Sequence, residues 1–185
     1  MDKKGQHYHI FETPGGFCAI AWSADGITRF WLREQSAEAA DRSVLRRMPA
    51  ATPGAPFPPV GNAVATAQRY FAGEKVDFSE APLDLEGQSD LFRQIYATLR
   101  RVGWGETTTY GALAKQFGDD WEIARDVGQA MAKNPIPLII PCHRVLAAGN
   151  KVGGFSAPGG VATKVKMLEL EGVSVGQPAQ QTLSF

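Results

Sequence analysis

Apolar and polar residues alternate in three short stretches near the start of the chain. These stretches cover residues 9–12, 17–22 and 27–32, and the turn sequences Pro14-Gly15-Gly16 and Asp25-Gly26 separate them. Alternation with a period of two is typical of strands that bury one face, and turns of this composition favour hairpins. The pattern therefore predicts a three-stranded antiparallel meander.

The apolar spacing then changes to the period of a helix. Residues 34–48 and 62–72 have this spacing, and the second segment ends before Gly73. Residues 49–59, which lie between them, contain five prolines and predict a rigid, irregular connection. The inward side of the first helix would carry Ala37, Ala40, Val44 and Leu45. No convergence of polar side chains is evident here, so we expect this part of the chain to brace the rest.

A segment rich in acidic residues, 76–89, separates the chain into two parts. Ser89 stands where a helix over residues 90–101 would need an N-cap, because a serine hydroxyl accepts hydrogen bonds from the first turn. We predict an α/β unit over residues 1–86, a mostly helical unit over residues 87–172, and a polar tail over residues 173–185.

Two short helices are predicted within the second unit, over residues 109–117 and 122–133, with the tight turn Gly118-Asp119-Asp120 between them. This is the helix-turn-helix pattern, although many such pairs bind no nucleic acid. The second helix carries one arginine, Arg125, among small residues, which suits close approach to a minor groove better than base reading in the major groove. The small residues are Ala124, Gly128, Ala130 and Ala132. They would also suit packing against another helix, with Arg125 in solvent.

The most apolar part of the second unit leads into a cysteine. Residues 138–140 precede Pro141-Cys142, so the thiol is predicted to lie on an extended segment that enters the interior. The turn Gly149-Asn150 and the glycine-rich loop 152–156 follow. A final helix is predicted over residues 161–171, with Val165, Leu168 and Leu170 as its apolar positions.

Composition places the chain among ordinary globular proteins, with 44% apolar and 21% charged residues. No apolar run approaches the roughly 20 residues that a membrane helix needs, and the first residues lack the apolar core of a secretory signal. We expect a cytoplasmic protein that does not associate with membranes. The formal net charge is zero, so any contact with nucleic acid must be local.

The chain has two cysteines with different surroundings. Cys18 lies in the alternating stretch GFCAIAW, which predicts a buried and inert thiol. A structural zinc site needs four ligands, and Cys18 with His7 and His9 falls short of that number. We expect no metal, and no disulfide, because intracellular proteins normally keep their thiols reduced.

Cys142 is followed directly by His143, and a thiol attacks only as its thiolate. Neighbours on an extended chain point to opposite faces, so a water would have to connect the thiol to the imidazole. A carboxylate behind His143 would fix its tautomer, and Glu171 is the candidate, with Glu169 as the alternative. The competing interpretation is a Cys-His pair that merely lies in a buried strand.

Five sequence blocks occur in order along the chain: GETTTYGALAKQFG, ARDVGQAM, NPIPLIIPCHRV, VGGFSAPGG and LELEG. Together they resemble the O6-alkylguanine-DNA alkyltransferases, also called methylated-DNA–protein-cysteine methyltransferases. The resemblance covers residues 71–172. It implies an α/β N-terminal domain, with a small antiparallel sheet plus helices, and a mostly helical C-terminal domain with a winged helix-turn-helix.

The resemblance implies a role for each matching residue. Cys142 matches the alkyl acceptor, and His143 matches the residue that deprotonates it through a water. Glu171 matches the carboxylate that orients this histidine. Tyr110 matches a tyrosine that donates a hydrogen bond or a proton to the departing guanine. The same tyrosine rotates a DNA phosphate. Asn134 matches the residue that ties the helix pair to the active-site segment.

Further residues match the DNA-contacting surface and the pocket for the base. Arg125 matches a finger that enters the base stack. The other implied DNA contacts are Tyr110, Gly111, Ala124 and Gly128. The implied pocket residues are Met131, Pro137, Val145, Val152, Gly153, Ser156 and Lys164. The chain departs from the family pattern in an acidic turn, GDDW, in Phe155 where some relatives have tyrosine, and in the absence of the zinc ligands of some relatives.

The resemblance implies direct, irreversible transfer of an alkyl group from O6-alkylguanine in duplex DNA to Cys142, after base flipping. We also expect O4-methylthymine as a substrate, a single turnover, no cofactor and a monomer. Three other interpretations are a cysteine hydrolase, a lesion-binding protein without transfer activity, and a transcription regulator. A hydrolase would need an oxyanion hole and would turn over. The presence of Cys142 argues against the second interpretation, and the shortage of base-reading side chains argues against the third.

Overall fold

A computed structural model describes residues 5–175 of the chain. Three antiparallel strands open the fold: β1 (His7–Thr13), β2 (Gly16–Trp22) and β3 (Ile27–Glu34). A short fourth strand, β4 (Thr52–Pro53), pairs parallel with β1, and the order is β3-β2-β1-β4. The meander is confirmed, but the sheet is mixed and part of the proline-rich connection is a strand. Pro53 is compatible with this place because an edge strand leaves some backbone N–H groups without a ladder partner.

Two helices of the N-terminal part accompany the sheet. Helix α1 (Ala37–Arg47) begins after Ser36, whose hydroxyl accepts a hydrogen bond from the backbone N–H of Ala39. Helix α2 (Pro58–Phe71) begins four residues before its predicted start at residue 62. Proline suits the first turn of a helix because the N–H that it lacks would have no partner there. The prolines therefore begin this helix instead of delaying it.

Three helices follow in the second part: α3 (Asp90–Leu99), α4 (Tyr110–Ala114) and α5 (Trp121–Ala132). Ser89 caps α3 as predicted, since its hydroxyl accepts from the N–H of Phe92 at 3.2 Å. The predicted helix over residues 109–117 is shorter in the structure. Its last residues, Gln116 and Phe117, donate to carbonyls three residues back, so the helix ends in a tight turn.

The segment at Cys142 differs from its prediction. It was expected to be extended, but Cys142–Arg144 form one turn of 3₁₀ helix. Strand β6 (Val145–Leu146) follows at once and pairs parallel with β5 (Thr108–Thr109). Helix α6 (Gly160–Leu170) closes the described fold. Part of the predicted polar tail, residues 176–185, lies outside the described residues.

One cluster of buried side chains connects the two parts of the chain. It includes Phe30 and Tyr70 from the first part, and Cys142 and Met167 from the second. The backbone also crosses between them, because the N–H of Phe30 donates to the carbonyl of Pro135 at 3.0 Å. The sheet thus supports the loop that leads to the cysteine. Among residues 5–175, no helix is long and apolar enough to cross a membrane.

Candidate active site

A sharp backbone turn at Pro141 sets the position of Cys142. The backbone angles of Pro141 are φ −80° and ψ 63°, and the N–H of Cys142 donates to the carbonyl of Ile140 at 2.8 Å. These are the features of an inverse γ-turn. The same carbonyl accepts Nδ2 of Asn134 at 2.9 Å, while Oδ1 of Asn134 accepts the N–H of Ile136. Asn134 therefore holds both ends of the loop that leads into the thiol.

The surroundings of Cys142 keep its sulfur protonated in the resting protein. Burial raises the pKa of the thiol above its ordinary value. Asn134, the charge of Lys164 and the backbone N–H groups of Cys142 and His143 act in the opposite direction without overcoming burial. The same groups would stabilise a thiolate once it forms, so the site needs a base to remove the proton.

His143 is placed to be this base. Its ring is fully buried, and Nε2 lies 2.6 Å from Oε1 of Glu171. Burial lowers the pKa of His143, and the charges of Arg144 and Lys164 lower it further, against the opposing effect of Glu171. A neutral imidazole that donates from Nε2 carries its lone pair on Nδ1. Nδ1 is buried and has no hydrogen-bond partner within the described part of the chain, so this lone pair is available for a proton.

Glu171 is the centre of the polar network. Its Oε1 accepts from His143, from the hydroxyl of Tyr70 at 2.9 Å and from Nη2 of Arg144 at 3.0 Å. Its Oε2 accepts Nε of Arg144 at 2.9 Å and the N–H of Gly105 at 3.2 Å. Burial opposes ionisation of Glu171, but the hydrogen bonds from His143 and Arg144 outweigh burial and lower its pKa to about 2. The carboxylate is therefore charged and fully hydrogen-bonded.

The alternative carboxylate, Glu169, is exposed to solvent, and Glu171 is the one in contact with His143. Gly105 reaches the network because its φ of +75° turns its N–H towards Glu171. A side chain would be strained in this conformation. Its Cβ would also lie 3.2 Å from the carbonyl of Glu171.

Three members of the network were missed from the sequence: Arg144, Tyr70 and Gly105. Arg144 stands inside the motif Pro-Cys-His-Arg, and its Nη1 also donates to the carbonyl of Val102 at 2.6 Å. Because Arg144 directly follows Cys142 and His143, the sequence could have suggested it as a partner for the carboxylate. Tyr70 gave no such signal, because it sits at an inward position of an apolar helix and resembles an ordinary core aromatic.

Tyr110 and Cys142 lie in the wall of the same cavity. Strand β5 ends where α4 begins, and its parallel register with β6 sets Thr109 beside Leu146, so the first residue of α4 lies beside the end of β6. The ring of Tyr110 lies 5.8 Å from Nζ of Lys164, and Nζ donates to the carbonyls of Val145 and Gly154. Burial raises the pKa of Tyr110, and the negative charge of a Cys142 thiolate raises it further, so its hydroxyl remains a donor.

A cavity of about 250 Å³ has Cys142 in its wall. The other residues in its lining are Tyr110, Gly128, Met131, Ala132, Gly154, Phe155 and Ser156. A second cavity of about 180 Å³ also reaches Cys142 and includes Asn134 and Pro137. Neither lining includes Val145, Val152, Gly153 or Lys164. A larger cavity, of about 490 Å³, does not have Cys142 in its lining.

Known proteins are similar in sequence to this chain over most of its length. A model of the DNA-binding domain of 6-O-methylguanine DNA methyltransferase matches residues 90–173. The methylated-DNA–protein-cysteine methyltransferase of Mycobacterium tuberculosis strain H37Rv is 36% identical over 166 residues, which are 89% of this chain and 92% of the relative. The chain belongs to the methylated-DNA–protein-cysteine methyltransferase family. The relative of that name from Methanosarcina acetivorans is 33% identical, over 90% of this chain and 98% of the relative.

Solved structures of family members agree with the fold. The O6-methylguanine methyltransferase of M. tuberculosis superposes with a TM-score of 0.72 at 34% identity, covering 96% of this chain and 98% of that one. The same protein in complex with DNA gives a TM-score of 0.70, also at 34% identity, and the superposition covers 90% of this chain and 93% of that one.

A further relative is similar in sequence. It is a DNA base-flipping protein from Thermus thermophilus, which is 40% identical over 57% of this chain and 68% of its own length.

Helix α5 of this family member presents an aromatic and a cationic side chain to solvent. Trp121 is 69% exposed, and the guanidinium of Arg125 lies 5.0 Å from the centre of its ring. Arg125 also lies 3.7 Å from Asp126. Ala124 is exposed, and an added Cβ at Gly111 or Gly128 would meet open space. The exposure of Trp121 was not considered in the sequence, although an aromatic residue next to a charged turn could have drawn attention to it.

Proposed function

We propose that this protein repairs DNA by taking the alkyl group from O6 of an alkylated guanine onto Sγ of Cys142. The contact between His143 and Glu171 carries this proposal, because it leaves a lone pair on Nδ1 of the residue that follows the buried thiol. The cavity that joins Cys142 to Tyr110 supports it, since a flipped base needs a pocket that reaches the acceptor.

The proposed reaction is a direct displacement. His143 takes the thiol proton of Cys142, through a water, and Sγ of the thiolate forms a bond to the alkyl carbon. The bond between this carbon and O6 breaks, and its electron pair goes to the guanine. The guanine receives a proton from the hydroxyl of Tyr110 as it leaves. The proton that His143 took from Cys142 then passes, through water, to the Tyr110 oxygen, so that both residues return to their neutral forms. The products are guanine and a thioether on Cys142.

A thioether does not release its alkyl group under these conditions, so each molecule acts once. No cofactor is required, because the leaving group is stabilised by protonation. O4-methylthymine has the same kind of alkyl–oxygen bond next to a ring nitrogen, and we propose it as a second substrate. A cysteine hydrolase is a weaker proposal, since it would need an oxyanion hole in addition to the thiol and its base, and it would turn over.

The proposed DNA-binding element is a winged helix-turn-helix formed by α4, α5 and the loop around residues 148–156. The relative solved with DNA supports DNA as the partner, and we propose that it is a duplex. Helix α5 would approach the minor groove through Ala124 and Gly128, and Arg125 would fill the space of the flipped nucleotide. One cysteine removes one lesion, so a monomer suffices. Both cysteines are free thiols, in keeping with action in the cytoplasm.

The test is intact-mass spectrometry after incubation with a duplex oligonucleotide that contains O6-methylguanine. We expect a mass gain of one methyl group per protein molecule, located on Cys142 by peptide mapping. The matched variants are Cys142→Ser, which should show no gain, and Cys18→Ser, which should react like the unaltered protein because Cys18 is buried in the sheet. No gain in the unaltered protein, or a gain on Cys18, would refute the proposal.

A further inference from the structure

Tyr70 connects the first part of the chain to the proposed catalytic residues. It lies at the end of α2, and its side chain is completely buried. Its hydroxyl donates to Oε1 of Glu171 at 2.9 Å and lies 3.4 Å from Nε2 of His143. Oε1 also accepts from His143, so the tyrosine and the histidine share one oxygen of the carboxylate.

Packing fixes the direction of this hydroxyl. The Tyr70 ring meets Trp104 edge to face at 5.3 Å and His143 at 6.2 Å, with interplanar angles of 72° and 73°. The carbonyl of Met167 is a longer alternative acceptor, at 3.4 Å, so the carboxylate is the main partner. Burial, followed by the charge of Glu171, raises the pKa of Tyr70, which keeps the phenol protonated as a donor.

We propose that Tyr70 is a positioning residue for alkyl transfer, which holds Oε1 of Glu171 in line with Nε2 of His143 and moderates the basicity of this histidine. The proposal rests on the function proposed above. A hydrogen bond from the phenol withdraws negative charge from the oxygen that faces the imidazole. Without it, the carboxylate would hold the Nε2 proton more strongly and favour the imidazolium form, which cannot accept a proton from Cys142.

The charged and titratable groups around His143 are known from the structure, so a change of pH dependence can be assigned. They are Cys142 and Arg144 on the same 3₁₀ turn, Lys164 on α6, Glu171 at the end of α6 and Tyr70 on α2, with Asp77 near Arg144. Tyr70→Phe removes one donor from this set and leaves every formal charge unchanged.

The experiment compares Tyr70→Phe with the unaltered protein in alkyl transfer from free O6-benzylguanine over a range of pH. Loss of one hydrogen bond to a charged group should lower the rate by roughly tenfold at neutral pH. The acidic limb of the pH profile should move to higher pH, because the more basic His143 is protonated sooner. The rate with duplex substrate should fall by the same factor, since Tyr70 acts on the thiol and not on DNA.

Tyr8→Phe is the matched control. Tyr8 is also buried and donates to a carboxylate, Asp41, at 2.6 Å, but it lies in β1, away from the site. Tyr8→Phe should be less stable than the unaltered protein, but its rate of alkyl transfer and the pH profile of that rate should not change. If Tyr70→Phe behaves in the same way, with an unmoved acidic limb, Tyr70 is only a structural residue and the proposal is wrong.

A second measurement separates this proposal from the proposed function. The ¹⁵N resonances of the His143 ring report its tautomer and titration whether or not alkyl transfer occurs, and His143 should titrate at higher pH in Tyr70→Phe. An unmoved titration would overturn the proposal even in an active protein. If Tyr70→Phe does not fold, 3-fluorotyrosine at position 70 gives a stronger donor of nearly the same size. It should move the His143 titration in the opposite direction, and a shift to higher pH would contradict the role.

Discussion

At the scale of single residues, the chemistry depends on which nitrogen of His143 carries the proton. Glu171 decides this, because it is ionised and lies 2.6 Å from Nε2. Arg144 holds the carboxylate by both of its oxygens, which prevents Glu171 from rotating away. The proposed base is therefore already oriented by Glu171 in the protein without DNA.

Glu171→Gln should reduce alkyl transfer strongly. Glutamine is neutral and offers one acceptor oxygen where the structure uses two, so His143 would lose its fixed tautomer and Arg144 its ion pair. We expect the single-turnover rate with O6-benzylguanine to fall on the order of 10²-fold, the usual contribution of a positioned base. Glu169→Gln, an exposed change two residues earlier, should leave the rate unaltered. Equal rates for the two variants would show that the carboxylate does not orient the base.

At the scale of elements, strands and helices that are distant in the sequence meet at the site. Strand β5 pairs parallel with β6 and leads directly into α4, which the hydroxyl of Thr109 caps by accepting from the N–H of Ala112. Tyr110, the first residue of α4, shares a cavity wall with Cys142. Helix α5 packs against α3 and α4 and buries Val127, Ala130 and Met131, which leaves its opposite side exposed to solvent. The proposed reading of α5 as a minor-groove helix depends on that free side.

Arg125→Ala should separate binding from chemistry. If Arg125 occupies the gap left by a flipped nucleotide, its loss weakens repair of O6-methylguanine in a duplex by about tenfold or more, while transfer from free O6-benzylguanine stays the same. Arg46→Ala, an exposed arginine at the end of α1, is the control and should affect neither substrate. Equal losses on the duplex and on the free base would contradict the role of Arg125.

Elements with a clear hydrophobic period could be predicted from the sequence, with ends that differ by a few residues. Helices α3 and α5 are examples, since each has one apolar side. The turn at Cys142 could not be predicted, because it depends on a γ-turn at Pro141 and on left-handed backbone at Leu138, whose φ is 76°. Neither feature has a period, and tertiary contacts must hold a leucine in that conformation.

The buried polar side of α6 was also beyond prediction. Thr163, Lys164 and Glu171 are buried in this region, whereas Val165 is only partly covered. An apolar pattern cannot identify polar residues whose burial is compensated by partners elsewhere in the chain. The need for a carboxylate behind His143 suggested Glu171, and the family resemblance added Lys164, but neither revealed that Tyr70 and Gly105 complete the network.

At the scale of the whole molecule, the two parts of the chain share the polar network as well as the apolar core. Tyr70 comes from α2, Gly105 from the segment after α3, and Glu171 from the end of α6. The division at residues 86 and 87 stays a prediction, but the stability of both parts depends on the same buried charges. Acid should therefore act on the fold through the site itself.

Stability should decrease as the pH falls, in two stages. Burial lowers the pKa of His143 in the folded protein. Below about pH 6.5 His143 therefore binds a proton in the unfolded chain but stays neutral in the folded protein. Glu171, with a folded pKa of about 2, has the same effect below its ordinary value of 4.5. In both cases the unfolded state binds more protons, so stability is lost towards acid. Urea unfolding followed by circular dichroism, at intervals from about pH 7 to pH 3, measures this change.

Glu171→Gln shows how much of the acid-induced loss of stability comes from Glu171 and how much comes from the rest of the chain. At neutral pH it should be less stable than the unaltered protein by about 3 kcal/mol, because Arg144 remains buried without its partner. This difference should narrow as the pH falls from about 4.5 towards 2, since only the unaltered protein still has the carboxylate to protonate. Glu169→Gln should follow the unaltered protein at every pH. If the free energy of unfolding falls with pH in parallel for Glu171→Gln and the unaltered protein, the buried carboxylate contributes nothing to acid unfolding.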